Sequence, residues 1–155
     1  MNKRVVITGM GVAATNAHGL NNFEKALREG LSGIRFHPLL AELKFGCQIV
    51  GVPEDFETIR KSYFDREKLM SINDNIVYAS VSAVDAWRDA GFSMPDADDD
   101  TVDWDTGVIA GSGIGGMDTI ALSVVPLVNE GRVRRLGSRV VEQVMNSGTS
   151  ARIGG

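Results

Sequence analysis

The sequence predicts an α/β fold, and three observations carry that expectation. Two short β-branched runs, residues 4–8 (RVVIT) and 108–110 (VIA), each lead into a glycine-rich loop. The first run does not alternate apolar with polar residues, which is the pattern of a strand covered on both faces. Segments with helical character, residues 22–30, 75–90 and 119–128, lie between and after these runs. A length of 155 residues, 43% of them hydrophobic, suits one soluble domain or part of one, with enough apolar surface to form a core.

Composition removes several function classes. A net charge of −4 disfavours non-specific binding to a phosphate polyanion, so no nucleic-acid partner is expected. Cys47 stands alone, which excludes an internal disulfide and suits a reducing compartment. The apolar stretch at residues 5–7 is too short for a signal-peptide core or a membrane span. These features predict a cytoplasmic protein that binds no membrane, and no metal or cofactor is expected.

In chain order, residues 4–8 run into Gly9-Met10-Gly11-Val12-Ala13-Ala14, which satisfies G-x-G-x-x-A. A dinucleotide loop would pass straight into a helix, whereas Thr15 to Gly19 reads as continuing loop. A glycine turn at the end of a buried strand is therefore the preferred reading. A short amphipathic helix follows over residues 22–30, with Asn22 as cap, Gly30 as stop, and Phe23, Ala26 and Leu27 as its inner face. Residues 32–43 contain Pro38 and read as irregular. Residues 45–52 are a second extended candidate carrying Cys47, which is expected to be a packed thiol because no histidine stands at a telling spacing.

Residues 64–69 read as a charged helix that leaves Arg66 and Lys68 in solvent. Asn73 or Asp74 then caps a helix over residues 75–90 that stops at Gly91. Its apolar positions are interleaved with alanine and serine, so neighbouring backbones can approach it and it is expected to be enclosed. Residues 96–105 hold six aspartates. Asp96, Asp98 and Asp100 imitate the start of a calcium loop, but Thr101 stands where glycine is needed and Gly107 where glutamate is needed. An exposed acidic loop is expected.

The central stretch is Val108-Ile109-Ala110-Gly111-Ser112-Gly113-Ile114-Gly115-Gly116-Met117. Its glycines imply either a ligand close to the backbone or φ values that glycine reaches cheaply. Gly111, Gly113 and Gly116 satisfy G-x-G-x-x-G between a predicted strand and helix, so a nucleotide-binding module is one reading. The acidic residue expected about twenty positions on is replaced by a basic turn containing Arg132, Arg134 and Arg135. That turn is either a solvated surface or a docking point for an acidic partner or phosphate. Pro126 predicts a helix that kinks or stops near Ser123.

Several segments in this order resemble the N-terminal part of β-ketoacyl-acyl-carrier-protein synthases, the condensing enzymes of the thiolase-like fold. They are residues 3–11 (KRVVITGMG), 27–34 (LREGLSGI), 86–91 (AWRDAG), 111–116 (GSGIGG) and Met145-Asn146. The resemblance implies an incomplete first half of a thiolase-like fold, a layered α/β/α arrangement with a mixed central sheet, over residues 1–155. It implies decarboxylative Claisen condensation of acyl and malonyl carrier-protein thioesters, in fatty acid or polyketide synthesis, through a cysteine and two histidines expected beyond Gly155. Cys47, His18 and His37 match no catalytic motif of the family, so this portion is expected to be inactive alone.

The resemblance further places Gly111, Gly113, Ile114, Gly115 and Gly116 beside the acyl pocket, with Ile114 restricting chain length. It assigns acyl-carrier-protein docking to Arg134 and Arg135 and, as a second patch, to Arg66 and Lys68. It puts residues 139–146 at a dimer interface, in a homodimer or a heterodimer with a related subunit. Thr15-Asn16 departs from the family's usual Ser-Pro, Val141 replaces a frequent proline, and Glu142 and Gln143 are polar for positions near an acyl pocket. These departures leave a non-catalytic chain-length-factor-like subunit as an alternative.

Overall fold

The computed structural model describes residues 3–96 and 99–155. The chain divides into two units, Met1–Ile59 with Val81–Met94, and Arg60–Ser80 with Pro95–Gly155.

In the first unit, helix α1 (Leu20–Arg28) starts earlier than its sequence pattern predicts. Gly19, at φ 78°, turns the chain into the helix, so Asn22 lies inside it and its Nδ2 donates to the His18 carbonyl at 3.1 Å instead of capping. Gly30, at φ 66°, lies just beyond the helix end as expected. Ala26 is buried, but Leu27 is exposed, so the inner face is narrower than predicted.

Strand β1 (Ile34–Phe36) pairs antiparallel with β2 (Ile49–Gly51), Arg35 opposite Val50. Helix α2 (Pro38–Glu42) lies between them. Residues 32–43 are thus ordered, contrary to expectation, because Pro38 stands in the first turn, where its missing N–H costs no helical bond. The extended segment at 45–52 contracts to β2. Cys47 precedes it and is exposed, with Sγ 3.6 Å from the Ile49 carbonyl, so the packed-thiol expectation fails. A ribbon of two three-residue strands encloses little.

Residues 4–8 form no strand, and Val5, Val6 and Ile7 are exposed. A strand covered on both faces requires partner strands and covering layers, and among the described residues the β1–β2 ribbon is the only sheet. What anchors this segment is the glycine turn that follows it. Helix α5 (Asp74–Asp89) passes so close that a Cβ on Gly9 would stand 2.2 Å from the Ala86 carbonyl oxygen, and one on Gly11 would stand 2.0 Å from that of Ser82. The Met10 N–H donates to Asp89 Oδ2 at 2.9 Å, and His18 Nε2 lies 3.1 Å from Asp85 Oδ2. The space a pyrophosphate would need at these glycines is filled by a helix backbone.

The sequence reading of α5 holds. Asn73 Oδ1 accepts from the Ile76 N–H at 2.9 Å and caps the helix, and Gly91 follows its end at φ 82°. Ile76, Val77, Ser80 and Val81 are buried. Helix α3 (Phe56–Tyr63), which the sequence reading did not anticipate, precedes α4 (Arg66–Leu69).

In the second unit, α6 (Met117–Thr119), a π-helical segment (Ile120–Val124) and α7 (Val125–Asn129) follow without interruption. Pro126 therefore does not stop the helix near Ser123. The wider turn before it gives room for a residue that has no N–H to donate and whose ring would crowd the preceding turn. A 3-10 turn (Val133–Arg135), α8 (Arg139–Val144) and α9 (Gly148–Gly154) complete the unit. Residues 108–110 form no strand, and Ile109 is fully exposed. Among the described residues no helix is long and apolar enough to cross a membrane.

Gly11→Ala is expected to lower stability by about 3 kcal/mol, because the new methyl meets helix backbone that cannot step aside. Gly46→Ala, where nothing lies within 4 Å, should change stability by less than about 0.5 kcal/mol. Urea unfolding of the two variants checks the contrast.

Candidate functional site

The glycines of the central loop do two different things. Gly111 and Gly113 are exposed and have open space where a Cβ would stand, whereas Gly115 and Gly116 are buried. Gly116 takes φ 66° at the start of α6, and a Cβ there would come within 2.6 Å of both the Gln143 carbonyl oxygen and Val144 Cα. At Gly115 it would meet Asn146 Oδ1 at 3.3 Å and Asn75 Nδ2 at 3.7 Å. The rear of the loop thus rests on the C-terminal turn of α8 and on the residues that follow it.

Three further hydrogen bonds hold this arrangement. Asn146 Nδ2 donates to the Gly113 carbonyl at 3.3 Å, and Ser112 Oγ donates to the Ile114 carbonyl at 3.0 Å. Gln143 Nε2 donates to the Met70 carbonyl at 3.1 Å. Between the bonded Gly113 and the packed Gly116, Ile114 stands 70% exposed. A large apolar side chain is therefore presented outward from a loop whose backbone is clamped behind it.

This geometry answers the nucleotide reading. No strand precedes the loop, the helix after it opens with only Met117–Thr119 in α form, and Gly116 is pressed against α8. A dinucleotide fingerprint needs its glycines for a tight turn, for approach to the pyrophosphate and for helix–strand packing. Here the buried pair serves packing between loop and helix.

Among the basic residues, Arg134 and Arg135 lie on the exposed 3-10 turn and form no ion pair among the described residues, while Arg132 beside them pairs with Glu130 at 2.5 Å. Arg66 and Lys68 are both exposed on α4, whose cap Asp65 accepts from the Lys68 N–H at 2.8 Å. Lys68 also lines a shallow depression of about 310 Å³ with Asp65, Glu67, Ser71 and Arg139. Sequence spacing gives no sign that Arg139 joins this group. Two carboxylates oppose its two cations, so the depression carries no formal net charge, whereas Arg134 and Arg135 keep theirs unopposed.

In the acidic segment, Asp99 and Asp103 turn their carboxylates on their own chain. Asp99 accepts from Thr101 and Asp103 from Thr106 and the Asp105 N–H, and these bonds hold both carboxyls below the usual aspartate range. Asp98 lies outside the described residues. No group of three metal-ligating side chains occurs among the described residues. His37 precedes α2, His18 faces Asp85, and Cys47 lies before β2, so none of the three belongs to the loop.

Residues 2–154 match the family described as Beta-ketoacyl synthase, N-terminal domain. The chain is 30% identical over 129 residues to 3-oxoacyl-[acyl-carrier-protein] synthase 2 of Vibrio harveyi, covering 83% of this chain and 30% of that protein. It is 30% identical over 149 residues to 3-oxoacyl-[acyl-carrier-protein] synthase 1 of Escherichia coli, covering 96% and 35%. In three dimensions it resembles a β-ketoacyl synthase from Burkholderia phymatum, with a TM-score of 0.71 and 25% identity over 98% of this chain and 36% of that one. It shares its fold with the ishigamide ketosynthase/chain length factor, with a TM-score of 0.71 and 22% identity over 96% and 35%. The chain spans about a third of the length of these proteins, and its α/β architecture is the N-terminal part of their thiolase-like fold.

Gly116→Ala is expected to destabilise the chain by about 2 kcal/mol, since the methyl group combines a backbone clash with an unfavourable positive φ. Gly111→Ala should be close to neutral. Thermal unfolding of both variants tests whether the rear glycine carries the packing.

Proposed function

The chain belongs to the β-ketoacyl synthase family, as its N-terminal domain, and on that basis we propose that it forms the acyl-pocket wall and carrier-docking part of a 3-oxoacyl-acyl-carrier-protein synthase. The observation that carries this reading is the loop at residues 111–116, clamped from behind by α8 with Ile114 presented outward. A side chain placed in this way can limit the length of an acyl group lying against the loop.

The reaction proceeds in two stages. A cysteine thiolate attacks the acyl thioester, takes the acyl group and releases the carrier thiol. Malonyl carrier protein then loses CO2, and its carbanion attacks the acyl-cysteine carbonyl, giving a 3-oxoacyl thioester and restoring the thiol. That chemistry falls to a cysteine and two histidines other than Cys47, His18 and His37, so residues 1–155 contribute binding and shape. The protein acts as a dimer in the cytoplasm, with residues 139–146 at the subunit contact. A natural protein lacking cysteine at the nucleophile position would instead be a chain-length-factor-like partner subunit.

The acidic carrier protein docks on Arg134 and Arg135, whose charges are unopposed, with Arg66 and Lys68 as a secondary contact.

Arg134→Glu combined with Arg135→Glu in the natural protein is expected to weaken carrier-protein binding by about tenfold or more, with a shallower salt dependence, while thermal unfolding stays unchanged. Calorimetric titration of acyl carrier protein measures it, and equal affinity rejects the docking site. Ile114→Ala should extend the longest accepted acyl chain and Ile114→Phe should shorten it. Product chain length by mass spectrometry reads both, and no shift in either removes Ile114 from the pocket.

A further inference from the structure

Two residues after the exposed Ile114, Gly116 lies against the Gln143 carbonyl. Gln143 belongs to the last turn of α8, where helix carbonyls have no partner within the helix. Asn73 supplies one, since its Nδ2 donates to that same oxygen. Asn73 is 4% exposed, and its Oδ1 is held at the same time by the Ile76 N–H at the start of α5. The amide is therefore fixed at one end to a buried helix and at the other to the surface on which the loop rests. Gln143 is tied again through its own side chain to the Met70 carbonyl, and Asn146 holds Gly113 on the other side of Ile114.

We propose that Asn73 is a positioning residue for the Ile114 loop, fixing the Gln143 carbonyl under Gly116 and so setting how far Ile114 reaches into the acyl path. The proposal rests on the reading of residues 111–116 as an acyl-pocket wall. The chain of contacts runs from α5 through Asn73 and the Gln143 carbonyl to Gly116 and then to Ile114. Without the Asn73 donor, that carbonyl is left unpaired beneath the loop, and the loop can relieve it only by moving away to admit water. Displacement of the loop carries Ile114 with it, so acyl-length discrimination should relax although Asn73 touches no acyl group.

The test separates the donor from the cap. Asn73→Asp keeps an oxygen for the Ile76 N–H and replaces the amide donor with a carboxylate oxygen, while Asn73→Ser keeps a capping oxygen on a shorter side chain whose hydroxyl no longer stands where Nδ2 meets the Gln143 carbonyl. Both are made in the natural protein beside Ile114→Ala, with hexanoyl and dodecanoyl carrier-protein thioesters as probes. The expected result is a shift of at least about threefold in the dodecanoyl-to-hexanoyl ratio of kcat/KM, toward the longer chain. Amide hydrogen exchange at residues 115–117 should also accelerate about tenfold. If Ile114→Ala shifts the ratio and neither Asn73 variant does, the positioning role is overturned and the pocket-wall reading stands. If Ile114→Ala leaves the ratio unchanged, the pocket-wall reading fails and the proposal falls with it. Should Asn73→Asp not fold, Asn73→Ser decides, and unchanged exchange at residues 115–117 in that variant overturns the proposal.

Discussion

Glycine backbone lying directly on helix backbone is the contact on which both units depend. Gly9 and Gly11 rest on α5, and Gly116 rests on the end of α8, at separations that no Cβ would tolerate. Among the described residues, the large side chains withdrawn completely from water are Val77 and Val81, both on α5. Since dispersion attraction falls steeply with any gap, main-chain contact at these glycines gives short, specific junctions in a chain that leaves many of its large apolar side chains exposed. The small residues of α5 belong to the same arrangement, because Ser82 and Ala86, with Ala90 just past the helix end, are what the first glycine turn meets.

The same constraint separates stable parts from adaptable ones. The central loop is packed at Gly115 and Gly116 and left open at Gly111 and Gly113, so the exposed Ile114 side chain rises from a fixed base. Charge is divided in a comparable way. Lys68 and Arg139 share their depression with the carboxylates of Asp65 and Glu67, while Arg134 and Arg135 on the 3-10 turn form no ion pair among the described residues. The unopposed positive charge is therefore confined to a small area of the surface.

Features fixed by neighbouring residues were legible in the sequence. The helix over α5, its Asn73 cap and its Gly91 stop all follow from spacing within one or two turns. The solvated character of the acidic segment was legible for the same reason. Features that need a distant partner were not. Residues 4–8 and 108–110 have the composition of strands, but a strand exists only as a member of a pair. Residues 32–43 read as irregular because nothing local marks a helix start at Pro38, and in the structure Pro38 stands at that start. The π-helical turn that accommodates Pro126 has no local signature. Of the site, the glycine loop was visible but the division of labour among its glycines was not, since α8 lies close to them only after folding. Ordered motifs, more than any single spacing, identified the family.

The exposed apolar run at Val5, Val6 and Ile7 has a colloidal consequence. Such a segment, β-branched and free of proline, is a template for strand addition by any chain that offers a matching edge. Lys3 and Arg4 stand immediately before it, and their charge opposes stacking of identical copies in register. Self-association of the isolated chain should therefore respond strongly to ionic strength, because the screening that weakens ordinary surface ion pairs also removes the repulsion holding these segments apart.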